Sequence, residues 1–306
     1  MTGPLIKRVL VTGITGFVGR HVIAPLIKCG YEVHGVSRKK TISGEFFGVV
    51  DHAVDLLLPG EAEALIKTVR PTHLLHLAWT PDPGRALMSL ENVRWAAATL
   101  NLFHSFTVAG GIRAVLVGSC AEYDWGFELL DERETPLRPA TLYGTAKNSV
   151  RELLEFASRD TITNLAWARL FFLYGPHEQD TRLVATVARS LAAGRIVATT
   201  DGAQKRDYMH IEDAAAGLAA LLESEISGAI NIASGYCGPV RGIVETLGRI
   251  AGRKDLLKIG ELTSPIGTPP ILTANLTRMH EELGFTPHYS LESGLTSTYE
   301  WWRARA

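Results

Sequence analysis

Short apolar runs alternate with longer amphipathic stretches over the first half of the chain. Apolar runs that are bounded by charged or turn residues are typical of strands buried on both faces, and the longer stretches are typical of helices. The pattern predicts strands at 7–12, 31–37, 49–55, 71–78, 114–118 and 164–172, with helices at 17–29, 60–70, 95–109 and 145–159. Strands that alternate with helices predict a parallel sheet.

The alternation becomes less regular after residue 174. The pattern there predicts helices at 183–193, 210–222 and 291–303, a strand at 229–233 and an exposed loop at 202–206. A proline-rich span (Pro265, Pro269 and Pro270) also lies in this part. We expect a small mixed α/β lobe here, lying over the strand tips.

Three glycines (Gly13, Gly16 and Gly19) separate the first strand from the first helix. Glycines at this place allow a tight turn, close approach of the backbone to a pyrophosphate, and close packing of helix on strand. A purely structural turn is the alternative. The context predicts a Rossmann-type, doubly wound α/β fold with dinucleotide contacts from Gly13, Thr15, Gly16, Phe17, Val18 and Gly19.

The end of the second strand indicates which dinucleotide binds. An acidic residue there would bind the ribose hydroxyl of NAD, whereas this chain has Ser37-Arg38-Lys39-Lys40. Small polar and basic residues favour the 2′-phosphate of NADP, and a solvated basic loop is the alternative. We also expect cofactor contacts from residues at the ends of the third and fourth strands: Asp55, Leu56, Leu77, Ala78 and Trp79.

Tyr143 and Lys147 stand four residues apart at the start of a predicted helix. Such residues share a helix face, and a nearby ammonium lowers the pKa of a phenol. The pair suits proton transfer to or from a substrate oxygen, although it could also arise by chance. Ser119 directly follows the fifth strand, where a side chain is placed for substrate contact.

Composition narrows the class of protein. The 306 residues are 46% hydrophobic and 21% charged with a net charge of −1, which is typical of a soluble globular protein and does not favour nucleic acid as a partner. The scattered cysteines (Cys29, Cys120 and Cys237) argue against a disulfide framework or a structural metal and favour a reducing, cytoplasmic compartment. The longest uncharged stretch, 95–112, is too polar for a membrane span.

Six motifs together resemble the extended short-chain dehydrogenase/reductase family of nucleotide-sugar epimerases, dehydratases and ketoreductases. The resemblance extends over nearly the whole chain. It rests on Gly13-x-x-Gly16-x-x-Gly19, His76-Leu-Ala78, Ser119 four residues before Tyr123, Tyr143-x-x-x-Lys147, Leu173-Tyr-Gly-Pro176 and Arg206-Asp-Tyr-Met-His-Ile-Glu-Asp213.

The resemblance implies roles for individual residues. Tyr143 would be the general acid/base, and Lys147 would hold the nicotinamide ribose and lower the pKa of Tyr143. Ser119 would hydrogen-bond the substrate oxygen, and Arg206 would bind the diphosphate of a sugar nucleotide. Further substrate contacts are expected from Glu122 and His177.

The resemblance also implies an organisation. Residues 1–173, joined by 207–234, would form the NADP-binding domain, and 174–206 with 235–306 the substrate lobe. A homodimer would form through helices 95–109 and 145–159, and the lack of charge in the first of these agrees with burial on two sides.

Departures from the family pattern favour one subgroup. Dehydratases carry an Asp-Glu pair where this chain has Cys120-Ala121, which disfavours dehydration. Many NAD-retaining epimerases have an acidic residue at the Ser37 position and Asn at the Phe172 position. We therefore expect NADPH-dependent reduction of a keto group, at C4, of a nucleotide-linked 6-deoxy sugar. A nucleotide-sugar epimerase with retained NAD(P) is the alternative, and a reductase of small carbonyl compounds or a non-catalytic NADP sensor would share the fold.

Overall fold

The structure is a computed structural model that describes residues 7–39, 46–79, 86–264, 267 and 269–306. Lys40 and Pro265, named above, lie outside the described residues. The first part of the chain contains β1 (Arg8–Thr12), α1 (Phe17–Lys28), β2 (Glu32–Ser37), β3 (Val49–Ala53), α2 (Glu61–Val69), β4 (His73–His76), α3 (Glu91–Val108), β5 (Arg113–Ser119), β6 (Leu129–Leu130), α4 (Leu142–Ala157) and β7 (Asn164–Leu170).

The second part combines short strands with four longer helices. It contains β8 (Phe172–Tyr174), α5 (Leu183–Ala192), β9 (Val197–Thr199), β10 (Lys205–Arg206), β11 (Tyr208–His210), α6 (Ile211–Glu223), β12 (Gly228–Ile232), α7 (Val240–Ile250), β13 (Leu257–Ile259), β14 (Ile271–Ala274) and α8 (Leu291–Arg303).

The main sheet has seven strands in the order β12-β7-β5-β4-β1-β2-β3. Every neighbouring pair is parallel, which confirms the predicted α/β class. Val9, Leu10 and Val11 of β1 are all fully buried, because side chains that alternate between the two faces of the sheet meet helices on both.

Two apolar cores lie against the two faces of this sheet. Val22 and Leu26 of α1 share one core with Leu218 and Leu222 of α6. The other core contains side chains of α2, α3 and α4, among them Phe106. This arrangement leaves the carboxyl ends of the strands free of helix and available for a site.

A third core lies in the C-terminal part of the chain. It contains side chains of α5, α7 and α8, including Val187, Leu247 and Leu295. Three small sheets accompany it, with strand orders β10-β14-β6, β11-β8 and β13-β9. β12 belongs to the main sheet, and the exact boundary between the two predicted domains stays a prediction.

Two sequence predictions are corrected. The predicted strand 164–172 ends at Leu170, and Phe172 belongs to β8, which pairs with β11 outside the main sheet. The predicted exposed loop 202–206 ends in a strand, and Arg206 is only 6% exposed. The Arg206 guanidinium donates a hydrogen bond to the carbonyl of Pro269, a distant contact that the local sequence does not reveal.

Helix α4 begins earlier than the sequence predicted. Thr141 precedes its first residue, and its Oγ1 accepts a hydrogen bond from the Gly144 N–H at 3.1 Å. A threonine at this place satisfies a backbone N–H that has no partner within the helix. Tyr143 and Lys147 therefore both lie inside the helix, and the cap holds the turn that carries Tyr143.

Helix α3 has one buried side and one exposed side, and its predicted burial on two sides stays a prediction. Leu102 and Phe106 are buried against the sheet, whereas Val93 and Val108 are exposed at 54% and 74%. Over the ranges that the structure describes, no helix is both long enough and apolar enough to cross a membrane.

Replacing Thr141 with Ala is expected to lower the free energy of unfolding by about 1 kcal/mol, because the Gly144 N–H loses its acceptor. Urea unfolding of the parent and the variant measures this difference. Ser149→Ala is the matched control, because Ser149 is exposed in the middle of the same helix. Equal stability of Thr141→Ala and the parent would show that the cap contributes nothing.

Candidate active site

The glycine-rich turn leaves the N-terminus of α1 open. Gly13 has φ +72°, and a Cβ on Gly19 would lie 2.1 Å from the Gly13 carbonyl oxygen, so neither position accepts a side chain. Gly16 precedes the first helical residue and provides no side-chain cap, and the first turn has no acidic residue. Free N–H groups and the positive end of the helix dipole fit a pyrophosphate. The predicted contact residues Thr15, Phe17 and Val18 are exposed or partly exposed at this turn.

The other predicted cofactor residues lie at the ends of β2 and β3. Ser37 Oγ donates a hydrogen bond to the Lys39 carbonyl at 2.5 Å, and the side chains of Arg38 and Lys39 are exposed. Asp55 Oδ1 accepts from the Leu57 N–H at 3.1 Å. Leu56, by contrast, is buried in the core beside α2. The exposed cations at the end of β2 are the feature that favours a 2′-phosphate.

Thr12 fixes the tip of β4, and sequence reasoning missed it. Its Oγ1 accepts from the N–H groups of Leu77 and Ala78, both at 3.1 Å, and contacts His76 Nδ1 at 2.7 Å. The other ring nitrogen of His76 is 2.9 Å from Thr99 Oγ1, and burial lowers the pKa of His76 to about 3. His76 is thus a neutral structural link. One feature of the sequence could have identified Thr12: it is a polar residue that ends an apolar strand directly before Gly13.

Ser119 and Tyr143 are brought together at the carboxyl end of β5. Ser119 Oγ accepts from the Ala121 N–H at 3.2 Å and so caps a short 3-10 turn over Cys120–Glu122. Ser119 lies close enough to Tyr143 to lower the pKa of its phenol. The two groups predicted to address one substrate oxygen therefore lie side by side.

The pKa of Tyr143 is raised, which corrects the expectation that Lys147 lowers it. Burial is the main cause, and the negative charge of Glu122 and the neighbouring Cys120 add to it. The neighbouring Ser119 side chain and the charge of Arg182 act in the opposite direction. The phenol therefore stays protonated at neutral pH.

Lys147 contacts the backbone and an aromatic ring. Its Nζ donates to the Val117 carbonyl at 2.7 Å and lies 3.7 Å from the centre of the Trp79 ring. Such a cation–π contact stabilises an ammonium, whereas burial lowers the pKa of Lys147 to about 7. Trp79 also meets the Tyr143 ring edge-on at 6.4 Å, and its Nε1 donates to Asn92 at 2.9 Å. Trp79 thus joins Tyr143 and Lys147 into one cluster.

Glu122 was predicted to contact substrate, and the structure corrects this. Its side chain is fully buried. Oε1 accepts from the Ser119 N–H at 2.8 Å, and Oε2 accepts from Arg169 Nε at 2.7 Å. Trp167 Nε1 lies 2.9 and 3.1 Å from the same two oxygens. A carboxylate that is enclosed in this way is not available to a substrate.

Arg206 and His177 lie in different surroundings. Arg206 donates to the carbonyls of Lys205 at 2.7 Å and Pro269 at 2.6 Å, and no carboxylate among the described residues forms an ion pair with it. His177 has φ +67° and contacts Arg20 of α1 at 3.1 Å and the Trp301 ring of α8 at 4.7 Å. His177 thus bridges two helices, and its substrate contact stays a prediction. Within the described part of the chain, no group of His, Cys, Asp and Glu side chains could hold a metal ion.

Comparison with known proteins identifies the family. Residues 9–233 match the NAD dependent epimerase/dehydratase family. The chain belongs to this family. The resemblance inferred from the motifs is thereby confirmed at family level, and the reductase subgroup is not.

The matches to known proteins cover between 78% and 98% of this chain. A structure of UDP-glucose 4-epimerase with UDP-glucose from Thermotoga maritima is 25% identical, with a TM-score of 0.87, covering 97% of this chain and 99% of that one. MoeE5 in complex with UDP-glucuronic acid and NAD is 26% identical, with a TM-score of 0.83, covering 98% and 100%. The dTDP-6-deoxy-L-talose 4-dehydrogenase (NAD(+)) of Aggregatibacter actinomycetemcomitans is 25% identical over 78% of this chain and 88% of its own length.

Replacing Lys147 with Met is expected to change how stability depends on pH. The folded protein releases the Lys147 proton near pH 7, whereas the unfolded chain holds it to about 10.5. Because the unfolded state then binds more protons, the parent should gain about 1.4 kcal/mol per pH unit relative to Lys147→Met between about pH 7 and 9.

Urea unfolding across this pH range measures the difference. Lys67→Met is the control, because Lys67 is exposed on α2. A parent and Lys147→Met variant whose stabilities change in parallel would contradict a lowered pKa.

Proposed function

We propose that this protein is a nucleotide-sugar epimerase that oxidises and re-reduces one carbon of the sugar, with C4 as the expected position, using retained NAD. The observation that carries the proposal is the cluster of Tyr143, Lys147 and Trp79 at the same sheet edge as Ser119 and the open N-terminus of α1. A proton-transfer group beside a dinucleotide turn suits reversible oxidation of an alcohol. The 4-epimerase with UDP-glucose supports epimerisation over the reduction expected from sequence.

The residues present fit a nicotinamide dinucleotide. The N–H groups at the start of α1 would hold the pyrophosphate, and Lys147 would hold the nicotinamide ribose with Tyr143. A bound nicotinamide supplies the hydride acceptor and donor. The Trp79 ring packs over the Lys147 ammonium, which limits the directions in which the Lys147 side chain can extend.

Tyr143 would exchange the hydroxyl proton of the sugar. Ser119 would donate a hydrogen bond to the same sugar oxygen and stabilise negative charge that develops on it. With a raised pKa, Tyr143 is held in the protonated form that donates to a carbonyl oxygen. Oxidation requires Tyr143 as the phenolate, which accepts the hydroxyl proton of the sugar; the positive charge of Arg182 favours this form by opposing the rise in pKa.

Arg206 would bind the diphosphate of the substrate. Two of its nitrogens are held by backbone carbonyls, and its charge has no carboxylate partner among the described residues. A guanidinium oriented in this way keeps its positive charge for an anion. The UDP sugars bound by the two structural relatives support a nucleotide-diphosphate sugar as substrate.

A ketoreductase that uses NADPH is the second candidate. Ser37 with the exposed Arg38 and Lys39 favours NADP, and the 6-deoxy-L-talose 4-dehydrogenase relative acts at the predicted position. The two candidates differ in how they hold the cofactor. Purified protein that carries NAD supports the epimerase, and empty protein that binds NADPH supports the reductase.

A homodimer is also part of the proposal. Val93 of α3 and Leu153 and Phe156 of α4 are exposed at 54%, 54% and 68%, and the two helices pack against each other. Exposed apolar side chains on two packed helices suit a contact with the same surface of a second copy. Sedimentation equilibrium tests this, and a monomer at micromolar concentration would contradict it.

Tyr143→Phe is expected to lower turnover of a nucleotide sugar by at least about 10²-fold, because the proton donor is removed while the ring remains. Binding of the dinucleotide, measured by calorimetry, should change little. Tyr31→Phe is the matched control, since Tyr31 precedes β2 and lies at the opposite edge of the sheet. Full activity of Tyr143→Phe would refute the assignment.

A further inference from the structure

The buried charge of Glu122 calls for an explanation beyond stability. Its carboxylate and the Arg169 guanidinium are both completely buried, 2.7 Å apart. Taking two charges out of water costs several kcal/mol each, and a well-packed apolar pair is often no less stable. The pair therefore suggests a task that an apolar pair could not perform.

Glu122 binds the backbone of the residue that contacts Tyr143. Its Oε1 is 2.8 Å from the Ser119 N–H, while Ser119 Oγ accepts from the Ala121 N–H. The two residues thus hold each other in a reciprocal capping box. Rotation of the Ser119 backbone would break both hydrogen bonds at once.

Two glycines make room for this arrangement. A Cβ on Gly118 would lie 2.1 Å from Trp167 Nε1 and 2.3 Å from Glu122 Oε1. A Cβ on Gly144 would lie 2.1 Å from the Ala121 carbonyl oxygen. The turn over 120–122 is therefore packed directly against the first turn of α4, which carries Tyr143.

The network continues from Arg169 to the sheet that contains Arg206. Arg169 Nη1 donates to Tyr123 Oη at 2.9 Å, and this hydroxyl donates to Asn231 Oδ1 at 2.8 Å. Asn231 Nδ2 donates to the carbonyls of Leu130 at 2.9 Å and Asn275 at 3.1 Å. Leu130 ends β6, which pairs with β14 beside β10.

We propose that Glu122 is a positioning residue: held by Arg169 and Trp167, its carboxylate fixes the Ser119 backbone so that Ser119 Oγ meets Tyr143. The inference rests on the proposed function, because it assigns a task within that reaction. Glu122 acts through Ser119 and does not contact the substrate. Its charge also raises the pKa of Tyr143, so it affects both members of the pair.

The variant Glu122→Asp changes the position of the carboxylate and keeps its negative charge. The aspartate keeps the negative charge that Arg169 needs, but it is one methylene too short to reach Arg169 and the Ser119 N–H together. We expect kcat to fall by about 10²-fold with KM for the nucleotide sugar unchanged, because Ser119 is misplaced while Arg206 is not. Glu155→Asp is the matched control, since Glu155 pairs with Arg151 inside α4 and does not contact Ser119.

Glu122→Gln tests the charge. Removing a negative charge lowers the pKa of Tyr143, so the limb of the kcat profile that reports deprotonation of Tyr143 should move to lower pH in this variant and stay in place in Glu122→Asp. A role in folding alone would lower the melting temperature and leave kcat per folded molecule unchanged. That result would overturn the proposal.

Amide hydrogen exchange makes the test independent of activity. The Ser119 amide should be protected in the parent and should exchange faster in Glu122→Asp, with the Val115 amide as an internal reference in the same strand. Unchanged protection at Ser119 would contradict the positioning role. A parent that turns over no nucleotide sugar would instead refute the proposed function, and the exchange result would still decide whether Glu122 holds Ser119.

Discussion

All seven strands of the main sheet run in the same direction, so their carboxyl ends meet along one edge. Thr12 ends β1, His76 ends β4 and Ser119 ends β5, and these three strands are neighbours. Residues more than 100 positions apart are thereby brought beside the start of α1. Because helices cover both faces of the sheet, this edge is where backbone N–H groups and polar side chains remain accessible.

Charged side chains are buried close to this edge of the sheet. Glu122 and Arg169 form an ion pair behind Ser119, and Lys147 lies against Trp79 with its pKa lowered to about 7. Water screens charges strongly, so a buried charge acts over a longer distance than an exposed one. Tyr143 is therefore affected by groups that do not touch it, and its pKa reflects the whole cluster rather than one lysine.

Local features could be predicted from the sequence, and long-range contacts could not. The glycine turn, the strands and the spacing of Tyr143 and Lys147 follow from short stretches of chain, and the structure has them. The burial of Glu122 depends on Trp167 and Arg169, which lie 45 and 47 residues away along the chain. Arg206 is likewise held by Pro269, 63 residues away. Neither the residues around Glu122 nor those around Arg206 contain a pattern that identifies these partners.

In the proposed reaction, a carbon-bound hydrogen of the sugar would move to nicotinamide as hydride while Tyr143 handles only the hydroxyl proton. The most direct test is incubation of the protein with NAD and a nucleotide hexose deuterated at C4, followed by mass spectrometry of sugar, cofactor and water. We predict that the deuterium stays on the sugar or on the nicotinamide. Loss of the deuterium to water would contradict it.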